Sequence, residues 1–185
     1  MFEADLQRIQ ADIEQLARFT DTPGAGVTRF TYTDQDRAAR QYIQRRMVEA
    51  GLEVRVDGIG NVIGRRSGRF QDQPVVMVGS HFDSVRHGGA FDGPAGVVAA
   101  LEIARVMADN AITTDHPIEF IAMVEEEGAR FGAGLFASRA MAGKVSKQEI
   151  LSYCDSSGIT MAEAMRQAGF APDSLAAIQR HPESI

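Results

Sequence analysis

A continuous apolar run, Val75-Val76-Met77-Val78-Gly79, and a second, mainly apolar stretch from Ile118 to Val124 constrain this chain most. Between them lies a helical stretch from Pro94 to Asp109, with proline at the position that suits the first turn of a helix. Runs of this kind suit strands buried on both faces of a sheet covered by helices. Strand, helix and strand in that order imply a right-handed crossover and parallel neighbours. The expected fold class is α/β, with a mixed, largely parallel sheet flanked by helices.

The flanking segments add to this frame. Leu6, Ile9, Ile13, Leu16 and Ala17 recur at helical spacing between Asp5 and Phe19. The run from Asp21 to Gly26 breaks the pattern and reads as a loop. Thr33 with Asp34 and Asp36 forms a helix-start signal, and Gly51 stands where that helix should stop. Glu53–Val56 alternates and is expected to pair with Asn61–Arg65 across a turn at Asp57-Gly58. Short helices are expected near Leu135–Met141 and Thr160–Gly169, and the tail from Pro172 reads as loop.

At 185 residues, with 44% hydrophobic and 24% charged residues, the chain has material for a real core. A net charge of −6, with no long basic run, argues against nucleic acid or an anionic membrane as partner. No apolar run approaches the roughly 18 residues of a membrane span. The N-terminus lacks the basic and apolar regions of a signal peptide. Cys154 is the single cysteine, so no internal disulfide can form. These features point to a cytoplasmic location.

Two polar clusters follow the two apolar runs, where ligands gather in open α/β sheets. The first is Ser80-His81-Phe82-Asp83-Ser84, followed by Gly88-Gly89-Ala90-Phe91-Asp92-Gly93-Pro94. His81 can offer a neutral imidazole to a metal, and Asp83, two residues on, can fix its tautomer. Taken alone, His-x-Asp is an ordinary surface pair and Asp92 a helix cap. The second is Glu125-Glu126-Glu127-Gly128-Ala129-Arg130-Phe131. Alone it reads as a solvated acidic loop. Beside the first cluster it reads as a cation site, because crowded carboxylates resist ionising together unless a cation relieves them. Carboxylate and imidazole suit zinc and its divalent neighbours, and a spare glutamate can serve as a general base.

On these residues the chain resembles the M20 metallohydrolases, specifically the allantoate amidohydrolase and N-carbamoyl-L-amino-acid hydrolase branch. Gly79-Ser80-His81-Phe82-Asp83-Ser84-Val85, with Gly88-Gly89 and Phe91-Asp92-Gly93-Pro94, looks like the first metal motif. Glu125-Glu126-Glu127-Gly128, Arg130-Phe131, Ser138-Arg139-Ala140 and Gly143 match the second. Thr28-Arg29, Tyr32-Thr33, Asp36-Arg37 and Gly60-Asn61 agree as well. There are departures: Ala129 stands where the branch commonly has serine, and Arg86-His87 replaces the commoner Pro-Asn.

The resemblance implies a zinc-dependent exopeptidase-like catalytic domain holding two divalent metal ions, Zn²⁺ or Mn²⁺, with Co²⁺ or Ni²⁺ as alternatives. His81 would bind the first ion, Asp92 would bridge both and Glu127 would bind the second. Glu126 would be the general base, and Asp83 would orient His81. The implied reaction is hydrolysis of linear amide or ureido C–N bonds in small molecules such as allantoate or N-carbamoyl-L-amino acids. A peptidase or aminoacylase of the wider family is the alternative, and a catalytically inert fragment is another. The resemblance also implies that residues 1–185 are the N-terminal part of the catalytic domain. A further His-x-Glu-Gln-Gly ligand motif, the rest of that domain and a lid domain that forms a homodimer would lie outside them. His181-Pro182-Glu183 lacks the Gln-Gly of that motif and reads as an unrelated tail; His87 and His116 read as loop residues.

Overall fold

A computed structural model of the chain describes residues 2–185. Helix α1 spans Leu6–Ala17, and the Asp5 carboxylate caps it by accepting from the Gln7 and Arg8 amides. Helix α2 spans Asp34–Glu49 behind its Thr33 cap. Strands β1 (Glu53–Val56) and β2 (Val62–Arg66) form the expected antiparallel hairpin. Strand β3 (Val76–His81), helix α3 (Pro94–Asp109) and strand β4 (Ile118–Met123) form the expected crossover, with β3 and β4 parallel. Helices α4 (Phe136–Met141), α5 (Lys147–Ser152), α6 (Met161–Gln167) and α7 (Leu175–Ile178) follow.

The sheet order is β1-β2-β4-β3. It is mixed, and β2 runs antiparallel to β4, so among the described residues the single parallel pair is β3–β4. Helix α3 packs on β3 and β4, and α2 on β1 and β2. Phe120, Ile121 and Ala122 of β4 are buried, as a central strand requires. The expectation of burial on both faces fails for β3. Val76 is 53% exposed, and β3 is an outer strand of this sheet, without a neighbouring strand on one side among the described residues. The tail also differs from the expected loop. It forms 3₁₀ turns at Pro172–Ser174 and Pro182–Ser184 around α7, and α5 is a further short helix beyond those the sequence pattern indicates. These pieces are too short for periodicity to reveal. No helix among the described residues is long and apolar enough to cross a membrane.

A buried ionic knot fastens the helices to one another. Asp12 on α1 accepts from Tyr42 and Arg46 on α2 and from Arg105 on α3. Burial, then this hydrogen bond, lifts the Tyr42 phenol to a pKa of about 12. The helix layer is therefore held rigidly behind the strand ends that carry the two polar clusters.

Candidate metal centre

Both clusters leave the sheet at the carboxyl ends of its parallel pair, β3 and β4. His81 is the last residue of β3 and is buried. Its Nδ1 lies 3.1 Å from the main-chain oxygen of Asp83. A carbonyl only accepts, so in the neutral ring Nδ1 carries the proton and Nε2 keeps its lone pair. That lone pair faces the acids: Nε2 is 3.7 Å from Asp92 Oδ1 and 3.8 Å from Glu126 Oε2.

Asp92 stands just before α3, with its side chain 70% exposed. Gly93 follows with φ 79° and ψ −67°, a strained γ-turn conformation that favours glycine. A β-carbon there would lie 2.5 Å from His81 Cε1. Glycine thus lets the helix start close against the imidazole ring.

The acidic run begins with Glu125, whose φ of 49° turns the chain sharply out of β4. The Glu125 amide donates to Thr31 Oγ1. The next two amides converge on one carboxylate: Glu126 N–H donates to Asp83 Oδ1 and Glu127 N–H to Asp83 Oδ2, both at 3.1 Å. Consecutive amides that share an anion form a rigid concave support. Asp83 thereby binds the first cluster to the second. The far end of the loop is closed by Leu135 N–H to Glu126 O and Phe136 N–H to Glu125 O, at the start of α4.

Placed this way, one oxygen or nitrogen from each of His81, Asp92 and Glu127 lies within 4.8 Å of the others. Two ligands about 2.1 Å from one zinc ion stand at most about 4.2 Å apart. The His81–Asp92 separation of 3.7 Å falls within that span. One imidazole nitrogen and several carboxylate oxygens are also the donor chemistry of zinc and manganese sites.

The electrostatics agree with a cation site. Burial raises the Glu127 pKa from its ordinary value, and Asp92, Glu126 and Asp83 add to this by repulsion while His81 opposes it. Burial opposes protonation of His81, but Asp83 and Glu126 outweigh it and its pKa is raised. Burial, then repulsion from Asp83, pushes Glu125 up to about 7, although Thr31, the Phe131 amide and Arg130 act against this.

The remaining histidines stand elsewhere. His87 Nδ1 donates to Ala25 O and His116 Nδ1 to Pro74 O, each in a loop. His181 precedes the last 3₁₀ turn, and its carbonyl accepts from Ser184. Two features of the centre escape local sequence reading. Asp83 Oδ1 lies 3.5 Å from His81 Nδ1 while both carboxylate oxygens also accept from the second loop, and the Asp83 main-chain oxygen is nearer the ring nitrogen at 3.1 Å. Glu125 points inward and accepts from the Phe131 amide. A run of three identical residues carries no signal that separates them.

A family model for peptidase family M28 matches residues 61–179. The chain belongs to this family. The family name differs from the M20 label suggested by the motifs, while the amidohydrolase branch is the one its relatives bear. The chain is 49% identical over 178 residues to an N-carbamoyl-L-amino-acid amidohydrolase of Paenarthrobacter aurescens, covering 96% of this chain and 43% of that protein. It is 45% identical to the Geobacillus stearothermophilus protein of the same activity, covering 97% and 44%. Other relatives, at 34–37% identity, are named ureidoglycolate hydrolase or allantoate amidohydrolase. A crystal structure of a hydantoinase/carbamoylase family amidase from Burkholderia ambifaria superposes with a TM-score of 0.86 at 37% identity, over 91% of this chain and 41% of that one. The chain therefore spans under half the length of the relatives it matches.

Proposed function

We propose that these residues form the N-terminal part of the catalytic domain of a metal-dependent hydrolase of linear amide and ureido C–N bonds. The proposed substrates are small molecules of the N-carbamoyl-L-amino acid, allantoate or ureidoglycolate type. The observation that carries this is the convergence of His81, Asp92 and Glu127, with Glu126 beside His81, at the carboxyl edge of the parallel strands. The names borne by the relatives support the bond type.

His81 and Glu127 would each hold one of two divalent ions, Zn²⁺ or Mn²⁺, and Asp92 would bridge them. Such ions polarise a carbonyl and acidify water toward a pKa of about 7. Glu126, half-exposed and next to the ligands, would take the proton of the attacking water and deliver it to the departing nitrogen. Asp83 would hold both ligand loops in register from beneath. The remaining ligands, the lid and the homodimer contact are assigned to residues outside 1–185, and the location to the cytoplasm. The name of the matching family favours one second reading, a peptidase or aminoacylase using the same centre.

Calorimetric titration tests the centre on the chain itself: Zn²⁺ binding should be lost in His81→Ala. Equal, weak binding by both proteins would sink the metal assignment. Assays on N-carbamoyl-L-amino acids, allantoate and dipeptides separate the two readings. Glu126→Gln is expected to lower turnover by about 10²- to 10⁴-fold while metal still binds.

A further inference from the structure

Arg29 is completely buried, yet among the described residues it has no carboxylate within ion-pair distance. Its charge is instead solvated by main-chain oxygens. Nε donates to Phe82 O at 2.6 Å, and Nη1 donates to Leu16 O at 2.7 Å and Phe19 O at 3.0 Å. Leu16 lies in the last turn of α1, where the helix dipole favours a cation. Phe82 lies between His81 and Asp83. The Arg29 main chain grips the same turn: its N–H donates to Ser84 Oγ at 2.9 Å, and its oxygen accepts from the Ser84 amide at 3.1 Å. Ser84 Oγ in turn donates to Val27 O. Asp83 and Asp36 are the carboxylates whose fields reach the guanidinium.

A buried arginine of this kind is costly. Desolvation, only partly offset by Asp36 and Asp83, draws the guanidinium down to a pKa of about 10. Apolar packing would fill the same volume without that cost. What the guanidinium supplies that an apolar side chain cannot is a planar fork fixing three carbonyls from two chain segments at once.

We infer that Arg29 is the positioning residue of the metal centre, holding the His81-Phe82-Asp83 turn against the end of α1 so that the His81 ring and the Asp83 carboxylate keep their aim. The inference rests on the metal reading of His81, Asp92 and Glu127. It assigns Arg29 no contact with substrate or metal. Groups that orient metal ligands typically change affinity by about 10- to 100-fold when removed. Lysine keeps the charge at this position but cannot make the planar fork.

The test uses the 185-residue chain with Co²⁺ and Zn²⁺ as probes. Arg29→Lys, Arg29→Met and Ser84→Ala are compared with wild type and His81→Ala. Folding is followed by near-ultraviolet circular dichroism, Zn²⁺ affinity by chelator competition, and ligand geometry by the visible spectrum of the Co²⁺-saturated protein. The expected result is that Arg29→Lys folds, loses about tenfold or more in Zn²⁺ affinity and shows an altered Co²⁺ spectrum at saturation. Ser84→Ala should change the spectrum in the same direction by less. Folded Arg29 variants with wild-type affinity and spectrum would overturn the inference. Loss of fold in both Arg29 variants, with an unaltered spectrum in Ser84→Ala, would also overturn it, leaving a purely structural role. If His81→Ala binds metal like wild type, the metal reading itself has failed; if it loses binding while the Arg29 variants do not, only the positioning role has.

Discussion

At the scale of single residues, the centre depends on close approach. Gly93 adopts a backbone conformation that resists a side chain and abuts the His81 ring. Gly93→Ala is expected to cost about 1–3 kcal/mol of stability and to displace the imidazole. Chemical denaturation should show the first effect and Zn²⁺ calorimetry a weakened site. Unchanged metal affinity would mean that the ring tolerates the shift. Local sequence made His81, Asp92 and the acidic run 125–127 legible as candidates because strand ends and a glycine-rich turn are local features. The choice among Glu125, Glu126 and Glu127 was not local. It follows from the left-handed turn at Glu125, which sends the first acid inward and the next two amides toward Asp83.

At the scale of elements, two ionic clasps set how segments meet. Asp12 joins α1 to α2 and α3 from a fully buried position. Asp12→Ala leaves Arg105 and Arg46 facing an empty acceptor, and removing one partner of a buried pair costs about 3–5 kcal/mol. The midpoint of urea unfolding should fall accordingly, and an unshifted midpoint would show that water replaces the carboxylate. The second clasp joins the acidic loop to the turn after α5. Asp155 accepts from Arg130 and from the Ser157 and Ile159 amides, while Arg130 also donates to Thr31 O. Burial opposes the Asp155 anion, but these donors outweigh it and hold its pKa below the usual value. A depressed carboxylate pKa stabilises the fold above the unfolded pKa, and that contribution is lost as pH falls through the folded one. Asp155→Asn should therefore destabilise the chain at neutral pH by about 1.5–3 kcal/mol. The difference from wild type should shrink below about pH 4. A difference that stays constant down to low pH would contradict the charge-based account.

At the scale of the whole molecule, the open side of β3 dominates behaviour. The strand carries an exposed Val76, and Met77 and Met123 border an apolar groove with Met141 and Ile185. At its start the tail lies alongside, where the Val75 amide donates to Ser184 O. An outer strand with apolar side chains is a template for association. Sedimentation of the isolated chain should show self-association that grows with concentration, and Val76→Lys should reduce it. A monodisperse monomer at high concentration would show that the groove and tail shield the edge well enough.

The sequence by itself determined the kind and order of the main elements. Periodicity, caps and apolar runs depend on neighbours within a few residues, so α1, α2, the β1–β2 hairpin and the β3–α3–β4 crossover could all be read. It also determined the chemistry on offer, because a histidine and acids placed just after two strands must emerge at one edge. Only the tertiary structure decided that β3 lies outermost and exposed, since strand order depends on which surfaces find cover. It also decided that Asp83 braces the acidic loop, 43 and 44 residues away, and that Arg29 is buried against Phe82, 53 residues away. Contacts over such separations are selected by burial and hydrogen-bond satisfaction across the folded chain, and no local pattern records them.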